Sequence, residues 1–195
     1  MIGVILCGGQ STRMGRDKGL IVKDGKRWAQ LASDKVSAQG IEVLISINPH
    51  QNNDYAIALP NQKLVPDNSS LNIKGPLLGI LSAHLSNQVE DLFILACDLI
   101  LMDGNLLKVL YESRISNPGF DVLLFNKDGM REPLCGIYTA EGLAKIFRWL
   151  SNSELSNFSM KHVLNRLNVL ELPLTHEQAQ SFTNFNSNEA LTKLF

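Results

Sequence analysis

Residues 2–18 read IGVILCGGQSTRMGRDK, an apolar run followed directly by a glycine-rich loop. The apolar run, residues 2–6, predicts a buried strand because it is short and is closed by glycines. Glycines carry no Cβ, so backbone N–H groups in such a loop can approach an anion closely. Three cations, Arg13, Arg16 and Lys18, lie in or beside the loop. Together these features predict a site that binds a polyphosphate.

The loop departs from the two best-known phosphate-binding patterns. The P-loop requires Gly-Lys followed by Ser or Thr, whereas Lys18 follows Asp17 and precedes Gly19. The dinucleotide-binding fingerprint requires G-x-G-x-x-G, whereas Gly8 and Gly9 are adjacent. The alternative interpretation is a glycine turn beside ordinary surface cations. The preceding strand and the three nearby cations favour the phosphate site over that alternative.

The composition narrows the class of protein. The chain has 195 residues, of which 45% are hydrophobic, as suits one globular domain. Its formal net charge of −1 creates no overall field that would recruit nucleic acid or an anionic membrane. Cys7, Cys97 and Cys135 lie far apart, without metal-ligand or disulfide spacing, which indicates reduced thiols and a cytoplasmic protein. No run of residues approaches the roughly 20 apolar residues of a membrane span.

Apolar runs alternate with helical patterns along the chain. Strands are predicted at residues 2–6, 41–47, 62–65, 91–97, 120–125, 134–138 and 169–172. Helices are predicted at residues 26–39, 53–59, 76–85, 104–113, 140–150, 159–166 and 188–194. This alternation favours an α/β fold with three layers and a doubly wound, mostly parallel sheet.

Polar residues come directly after four of the predicted strands. The glycine-rich loop follows the first strand, and Asn48, Asp67 and Asp98 follow three later ones. Parallel strands end at the same edge of a sheet, and ligands of doubly wound sheets gather at that edge. We therefore expect the loop and these three side chains to open onto one face of the protein.

Two of these residues are carboxylates with distinct possible roles. Asp98 suits Mg²⁺, which takes one or two carboxylates together with substrate phosphates. The alternative is a surface acid that caps the next helix, a role for which Asp103 is another candidate. Asp67 suits a nucleoside, because the guanine edge presents two neighbouring N–H donors. The alternative for Asp67 is a turn that continues through residues 68–70.

The glycine-rich loop resembles the signature of the molybdenum cofactor guanylyltransferases, the MobA family, which reads L-A-G-G-x-S-x-R-M-G-x-D-K. Cys7 stands where that signature has Ala. The resemblance runs nearly end to end, through Asn48, Val65-Pro66-Asp67, Gly75-Pro76-Leu77-Leu78-Gly79-Ile80, Asp98, Glu132-Pro133-Leu134 and Phe182-Thr183-Asn184-Phe185-Asn186-Ser187. The family usually has Pro at the position of Ile100, and often His at that of Glu132.

The resemblance implies a Rossmann-like nucleotidyltransferase that moves GMP from GTP to the phosphate of molybdopterin, with release of pyrophosphate. It implies catalytic roles for Arg13, Lys18 and Asp98, with Asp98 holding Mg²⁺. The implied nucleotide-binding residues are Leu6, Cys7, Gly8, Gly9, Lys18, Asn48, Asp67 and Asp98. On the pterin side it implies Asn184 and Asn186.

The expected organisation is a single domain over residues 1–195. Its nucleotide half covers about residues 1–100 and its pterin-side half about residues 101–195. We expect small-molecule substrates, transient contact with proteins that supply molybdopterin or mature molybdoenzymes, and a monomer or weak oligomer. The loop alone does not separate guanylyl from cytidylyl transfer, although the G-P-L-x-G segment favours GTP. The remaining alternatives are a related nucleotidyltransferase for another phosphorylated acceptor and a catalytically idle, nucleotide-binding adaptor of the same fold.

Overall fold

The computed structural model describes residues 1–8 and 17–183. The described strands are β1 (Ile2–Leu6), β2 (Val22–Lys23), β3 (Lys26–Arg27), β4 (Val43–Ile47), β5 (Lys63–Pro66), β6 (Leu92–Ala96), β7 (Val122–Lys127), β8 (Met130–Tyr138) and β9 (Val169–Pro173). The described α-helices are α1 (Trp28–Ser37), α2 (Asn52–Ala58), α3 (Pro76–Ser86), α4 (Gly104–Ser116), α5 (Ala140–Ser151) and α6 (Met160–Leu164). The predicted helix at residues 188–194 lies outside the described part of the chain.

Seven strands form the central sheet, in the order β5-β4-β1-β6-β8-β7-β9. Neighbouring strands are parallel except at β8, which is antiparallel to both β6 and β7. The predicted mostly parallel sheet is therefore confirmed. From β1 the chain first builds outward to β4 and β5, and then returns to place β6 on the other side of β1. The strand order thus reverses between β1 and β6, which is where doubly wound sheets bind their ligands.

Both faces of the sheet are covered by helices. The neighbouring β1 residues Val4 and Ile5 point to opposite faces, and neither has any exposed surface. Ile5 packs in a core built with residues of α1, α2 and α4, whereas Val4 packs in a second core with residues of α3, α5 and α6. The three-layer, doubly wound arrangement is confirmed, and it explains why the strand sequences are apolar on both faces.

Two Asp-Gly turns account for the main differences from the predicted elements. Residues 24–25 and 128–129 all have positive φ angles, between 50° and 81°, which is typical of the two-residue type I′ hairpin turn. The first turn pairs β2 with β3, so the first helix begins at Trp28 and not at Lys26. The second turn reverses the chain into β8, which begins at Met130 and runs against the rest of the sheet. Within the described ranges, no helix is long and apolar enough to cross a membrane.

Candidate active site

The ends of β1, β4 and β5 meet closely at one edge of the sheet. A Cβ atom placed on Gly8, after β1, would lie 3.1 Å from Oδ2 of Asp67 and 3.4 Å from the backbone nitrogen of Asn48. Any larger residue at Gly8 would have to displace one of them. The structure therefore brings together three of the residues predicted to bind the nucleotide, and the close approach of Asp67 and Asn48 explains the glycine at position 8.

Lys18 and Asp98 form an ion pair at the point where the strand order reverses. The Lys18 ammonium lies 3.0 Å from Oδ2 of Asp98, and the two side chains are 19% and 18% exposed. Asp98 lies in the turn directly after β6, and Lys18 begins a short 3₁₀ helix, Lys18–Leu20, after the glycine-rich loop. A cation and a carboxylate are thus held together beside the end of β1, partly shielded from water.

Asp98 has the donor chemistry for a magnesium site that a substrate completes. Among residues 1–8 and 17–183, no three His, Cys, Asp or Glu side chains cluster so that they could hold a metal ion. Mg²⁺ suits a single carboxylate when phosphates and waters supply the other ligands. The alternative role of helix cap belongs to Asp103, whose Oδ1 accepts the backbone N–H of Asn105 at 2.9 Å at the start of α4.

Asn48 keeps its backbone groups and one side-chain atom engaged within the protein. Its Oδ1 accepts the backbone N–H of His50 at 3.1 Å, and its own N–H donates to the Gln51 side chain at 2.6 Å. These contacts cap a 3₁₀ turn, Pro49–Gln51, and fix the orientation of the Asn48 amide. The amide oxygen of Asn48 is therefore engaged within the protein.

Asp67 is the most perturbed carboxylate of this edge. Its backbone N–H donates to the Ile47 carbonyl at 2.8 Å, which sets the side chain beside the end of β4. Burial raises its pKa from 3.8 to about 6, although the nearby Ser46 hydroxyl acts in the opposite direction. Neither the buried Oδ1 of Asp67 nor the Ser46 hydroxyl has a partner at good hydrogen-bonding geometry among the described residues. A buried carboxylate oxygen without a firm partner is costly, which favours a role toward a ligand.

The start of α3 packs directly over this carboxylate. Gly75 has a φ of +78° and precedes Pro76, the first residue of the helix. A Cβ on Gly79 would lie 2.6 Å from the Ser46 hydroxyl oxygen and 3.5 Å from Oδ1 of Asp67. Close packing of α3 against β4 therefore explains the glycine at position 79. The same packing covers the Oδ1 atom of Asp67.

Ser46, Gln51 and Tyr55 also belong to this edge of the sheet, although no sequence motif pointed to them. Tyr55 and Gln51 donate hydrogen bonds to Asp17. Ser46 lies within the apolar run of β4, and the other two lie in a 3₁₀ turn and in α2. The only sequence signal for them is their nearness to Asn48, because their partners are distant in the chain.

A sequence profile of the MobA-like NTP transferase domain matches residues 3–168. The chain belongs to this family. The match covers β1, the described site residues and all strands except the last, β9. As a MobA-like protein it is a nucleotidyltransferase by family and by fold.

Solved structures show the same fold as this MobA-like chain. The molybdopterin-guanine dinucleotide biosynthesis protein A from Archaeoglobus fulgidus is 20% identical and superposes with a TM-score of 0.79, over 99% of this chain and 96% of that one. A nucleotidyl transferase from Methanothermobacter thermautotroptrophicus is 13% identical, with a TM-score of 0.74 over 99% and 94%. The 4-diphosphocytidyl-2C-methyl-D-erythritol synthase from Anaerococcus prevotii is 11% identical, with a TM-score of 0.67 over 98% and 94%. These likenesses show that the chain has the same fold as these three proteins.

Four residues predicted for the MobA-like site, Gly9, Arg13, Asn184 and Asn186, lie outside the described residues. On the predicted pterin side, Glu132 lies half-buried on β8, and burial raises the pKa of its carboxyl. The three cysteines are buried free thiols, in agreement with the predicted reduced state.

Proposed function

We propose that this protein is a molybdenum cofactor guanylyltransferase. The observation that supports it most directly is the Lys18–Asp98 pair beside β1, close to the cluster of Gly8, Asn48 and Asp67. The signature loop, the MobA-like family and the fold of the Archaeoglobus fulgidus protein support the same activity. The substrates in this proposal are GTP and molybdopterin, with or without bound molybdenum.

The proposed reaction is a nucleotidyl transfer without a covalent enzyme intermediate. An oxygen of the molybdopterin phosphate attacks the α-phosphorus of GTP and forms a new P–O–P linkage. The bond between the α-phosphorus and the bridging oxygen of the β-phosphate breaks, and pyrophosphate leaves. Such transfers depend mainly on positioning and on stabilisation of charge. No protein nucleophile is needed.

The site residues divide these tasks between phosphate and nucleoside. Lys18 neutralises phosphate oxygens, together with the backbone N–H of Gly8 and with Arg13, whereas the backbone N–H of Cys7 donates to the Ser46 carbonyl at 2.9 Å and is not available to a phosphate. Asp98 holds Mg²⁺, which supplies charge neutralisation at the phosphates when it is bound.

The nucleoside lies against Asn48 and Asp67 in this proposal. Guanine presents N1–H and N2–H₂ as two neighbouring donors, and a carboxylate accepts from such an edge. Cytosine presents a single amino donor on its pairing edge, so an ionised Asp67 favours guanine. The amide NH₂ of Asn48 adds a donor for the sugar or the base.

Nucleotide selectivity is the first test of the proposal. We expect GTP with Mg²⁺ to raise the thermal midpoint of the protein more than CTP or ATP does at the same concentration. With molybdopterin present, GTP should be consumed with release of one pyrophosphate for each guanine dinucleotide formed. Selective stabilisation by CTP would indicate a cytidylyltransferase instead. Binding of GTP without turnover on correctly loaded molybdopterin would indicate a nucleotide-binding adaptor.

The proposed function includes partners and a location in the cell. The guanylyltransferase would bind transiently to the proteins that supply molybdopterin and to those that mature molybdoenzymes, and it would act in the cytoplasm. Pull-down of such partners with the purified protein, in the presence and absence of GTP, tests this part.

A further inference from the structure

Asp17 links the end of the glycine-rich loop to a distant strand–helix unit. Its Oδ1 accepts the backbone N–H of Gly19 at 3.0 Å and the Tyr55 hydroxyl at 2.8 Å. Its other oxygen, Oδ2, accepts a hydrogen bond from the Gln51 side-chain amide. Tyr55 and Gln51 lie 38 and 34 positions further along the chain. The carboxylate is therefore held by three donors, two of which come from the region that follows β4.

The Gln51 amide joins the two ends of the glycine-rich loop. Its Nε2 also donates to the backbone carbonyl of Cys7 at 3.2 Å, and its Oε1 accepts the backbone N–H of Asn48 at 2.6 Å. Cys7 lies just before the loop and Asp17 just after it. One side chain consequently fixes the separation of the loop ends and ties both of them to the end of β4.

The Tyr55 hydroxyl contacts Asp17 and Gly19, the residues directly before and after Lys18. The side chain has no exposed surface, and burial raises its pKa, so the hydroxyl keeps its proton and remains a donor. A Cβ on Gly19 would lie only 2.1 Å from this hydroxyl. Tyr55 thus contacts Asp17 before the lysine and Gly19 after it, and it fixes the backbone from which the Lys18 side chain extends.

We propose that Tyr55 and Gln51 are positioning residues for Lys18. By holding Asp17, they direct the Lys18 ammonium to Asp98 and to the nucleotide phosphates. This inference rests on the proposed function, in which Lys18 binds the triphosphate. It adds to that function a pair of residues that touch neither the nucleotide nor the acceptor.

A double-mutant cycle with the lysine tests the inference. The proteins are wild type, Tyr55→Phe, Lys18→Ala and the double variant, and the measurement is their affinity for GTP with Mg²⁺. We expect Tyr55→Phe to weaken binding roughly five- to tenfold in the wild-type background and less than about twofold in the Lys18→Ala background, because the tyrosine acts through the lysine. Equal losses in both backgrounds would overturn the inference.

Tyr138→Phe is the matched control. Tyr138 is as buried as Tyr55, and its hydroxyl donates to the Pro133 carbonyl at 2.8 Å on β8. We expect the two tyrosine variants to lose similar thermal stability, and only Tyr55→Phe to lose GTP affinity. Equal weakening of GTP binding in both would assign Tyr55 a general structural role and overturn the inference.

A second variant keeps the test decisive if Tyr55→Phe does not fold. Gln51→Ala removes the other donor to Asp17 from a partly exposed position, and it should lower GTP affinity in the same lysine-dependent manner. If the wild type binds GTP and both variants bind it equally well, this inference fails while the proposed function stands. If the wild type binds no nucleoside triphosphate, both proposals fail.

Discussion

Lys18 and Asp98 are 80 positions apart in the chain, yet their charged groups lie 3.0 Å from each other. The parallel pairing of β1 with β6 makes this possible, because Leu6 and Ala96 are register partners at the last rung of the ladder. The residues that follow each strand consequently emerge side by side. In the proposed function, Lys18 is the cation for phosphate oxygens and Asp98 the carboxylate for a metal ion, a combination that suits nucleotidyl transfer.

Removal of the Lys18 charge should weaken the binding of triphosphate. A charge-assisted contact typically contributes about 1.5–3 kcal/mol, so Lys18→Ala should lower GTP affinity roughly 10- to 150-fold. Titration calorimetry with GTP and Mg²⁺ measures the change. Lys145→Ala is the control, because Lys145 forms an ion pair with Asp121, 2.7 Å apart. Asp121 directly precedes β7, so this pair lies at the opposite edge of the sheet from Lys18. Unchanged affinity in Lys18→Ala would remove Lys18 from the phosphate site.

The two carboxylates at either end of β6 provide a direct comparison. Asp91, just before β6, pairs with Arg114 at 2.8 Å and is 19% exposed, much like Asp98 just after the strand. Loss of a carboxylate that holds the metal should reduce transition-state stabilisation by about 3 kcal/mol or more. Turnover should then fall by a factor of at least about 100. We expect this loss for Asp98→Asn and not for Asp91→Asn in an assay of pyrophosphate release at several Mg²⁺ concentrations. Similar turnover in the two variants would contradict the assignment.

The raised pKa of Asp67 predicts a pH-dependent effect on stability. Between the unfolded value of 3.8 and the folded value of about 6, the folded protein binds more protons at this group than the unfolded chain does. Its burial therefore destabilises the protein fully above pH 6, and the penalty disappears as the pH falls toward 4. Asp67→Asn should then be more stable than wild type by about 1–3 kcal/mol at pH 7, and by little at pH 4.

Chemical denaturation at a series of pH values measures this difference. Asp54→Asn, at an exposed position in α2, should change stability by less than about 0.5 kcal/mol throughout. The same Asp67→Asn protein should lose its preference for GTP. A stability difference that does not vary with pH would show that Asp67 does not carry the raised pKa.

Gly19 and Tyr55 should show coupled effects on stability. Gly19 is not in the left-handed region, so the cost of Gly19→Ala comes mainly from contact with the Tyr55 hydroxyl, which would lie 2.1 Å from the new Cβ, with the Cys7 sulfur next at 3.0 Å. Overpacking of this kind costs about 1–3 kcal/mol. Tyr55→Phe leaves the ring atom Cζ, at 3.2 Å, as the nearest part of that side chain. The double variant should therefore be at least about 1 kcal/mol more stable than the sum of the single losses predicts.

Gly104→Ala is the control for the glycine substitution. A Cβ on Gly104 meets no atom within 4 Å, so this variant should be neutral or stabilised by about 0.4–1 kcal/mol. Urea denaturation of the four proteins of the cycle and of this control measures the coupling. Strict additivity in the cycle would mean that the hydroxyl moves away from Gly19 at little cost.

Much of the fold could be predicted from local patterns. The apolar run at residues 2–6 and the β-branched run ending at Ile47 are strands with those same C-terminal ends, because strands buried on both faces must be apolar throughout. The antiparallel placement of β8 was not predicted. Its signal is the Asp128-Gly129 pair, whose positive φ angles form a tight hairpin turn.

The sequence by itself determined the nature of the site: a strand, a glycine-rich loop, and polar residues after strands that must share one sheet edge. Asp98 and Asp67 were identifiable because their position depends only on strand direction. Only the tertiary structure decided which side chains hold the loop ends and how each carboxylate is charged. The bonds of Asp17 to Gln51 and Tyr55 and the raised pKa of Asp67 arise from packing between segments far apart in the chain. Burial and distance are properties of the folded protein, and no local pattern encodes them.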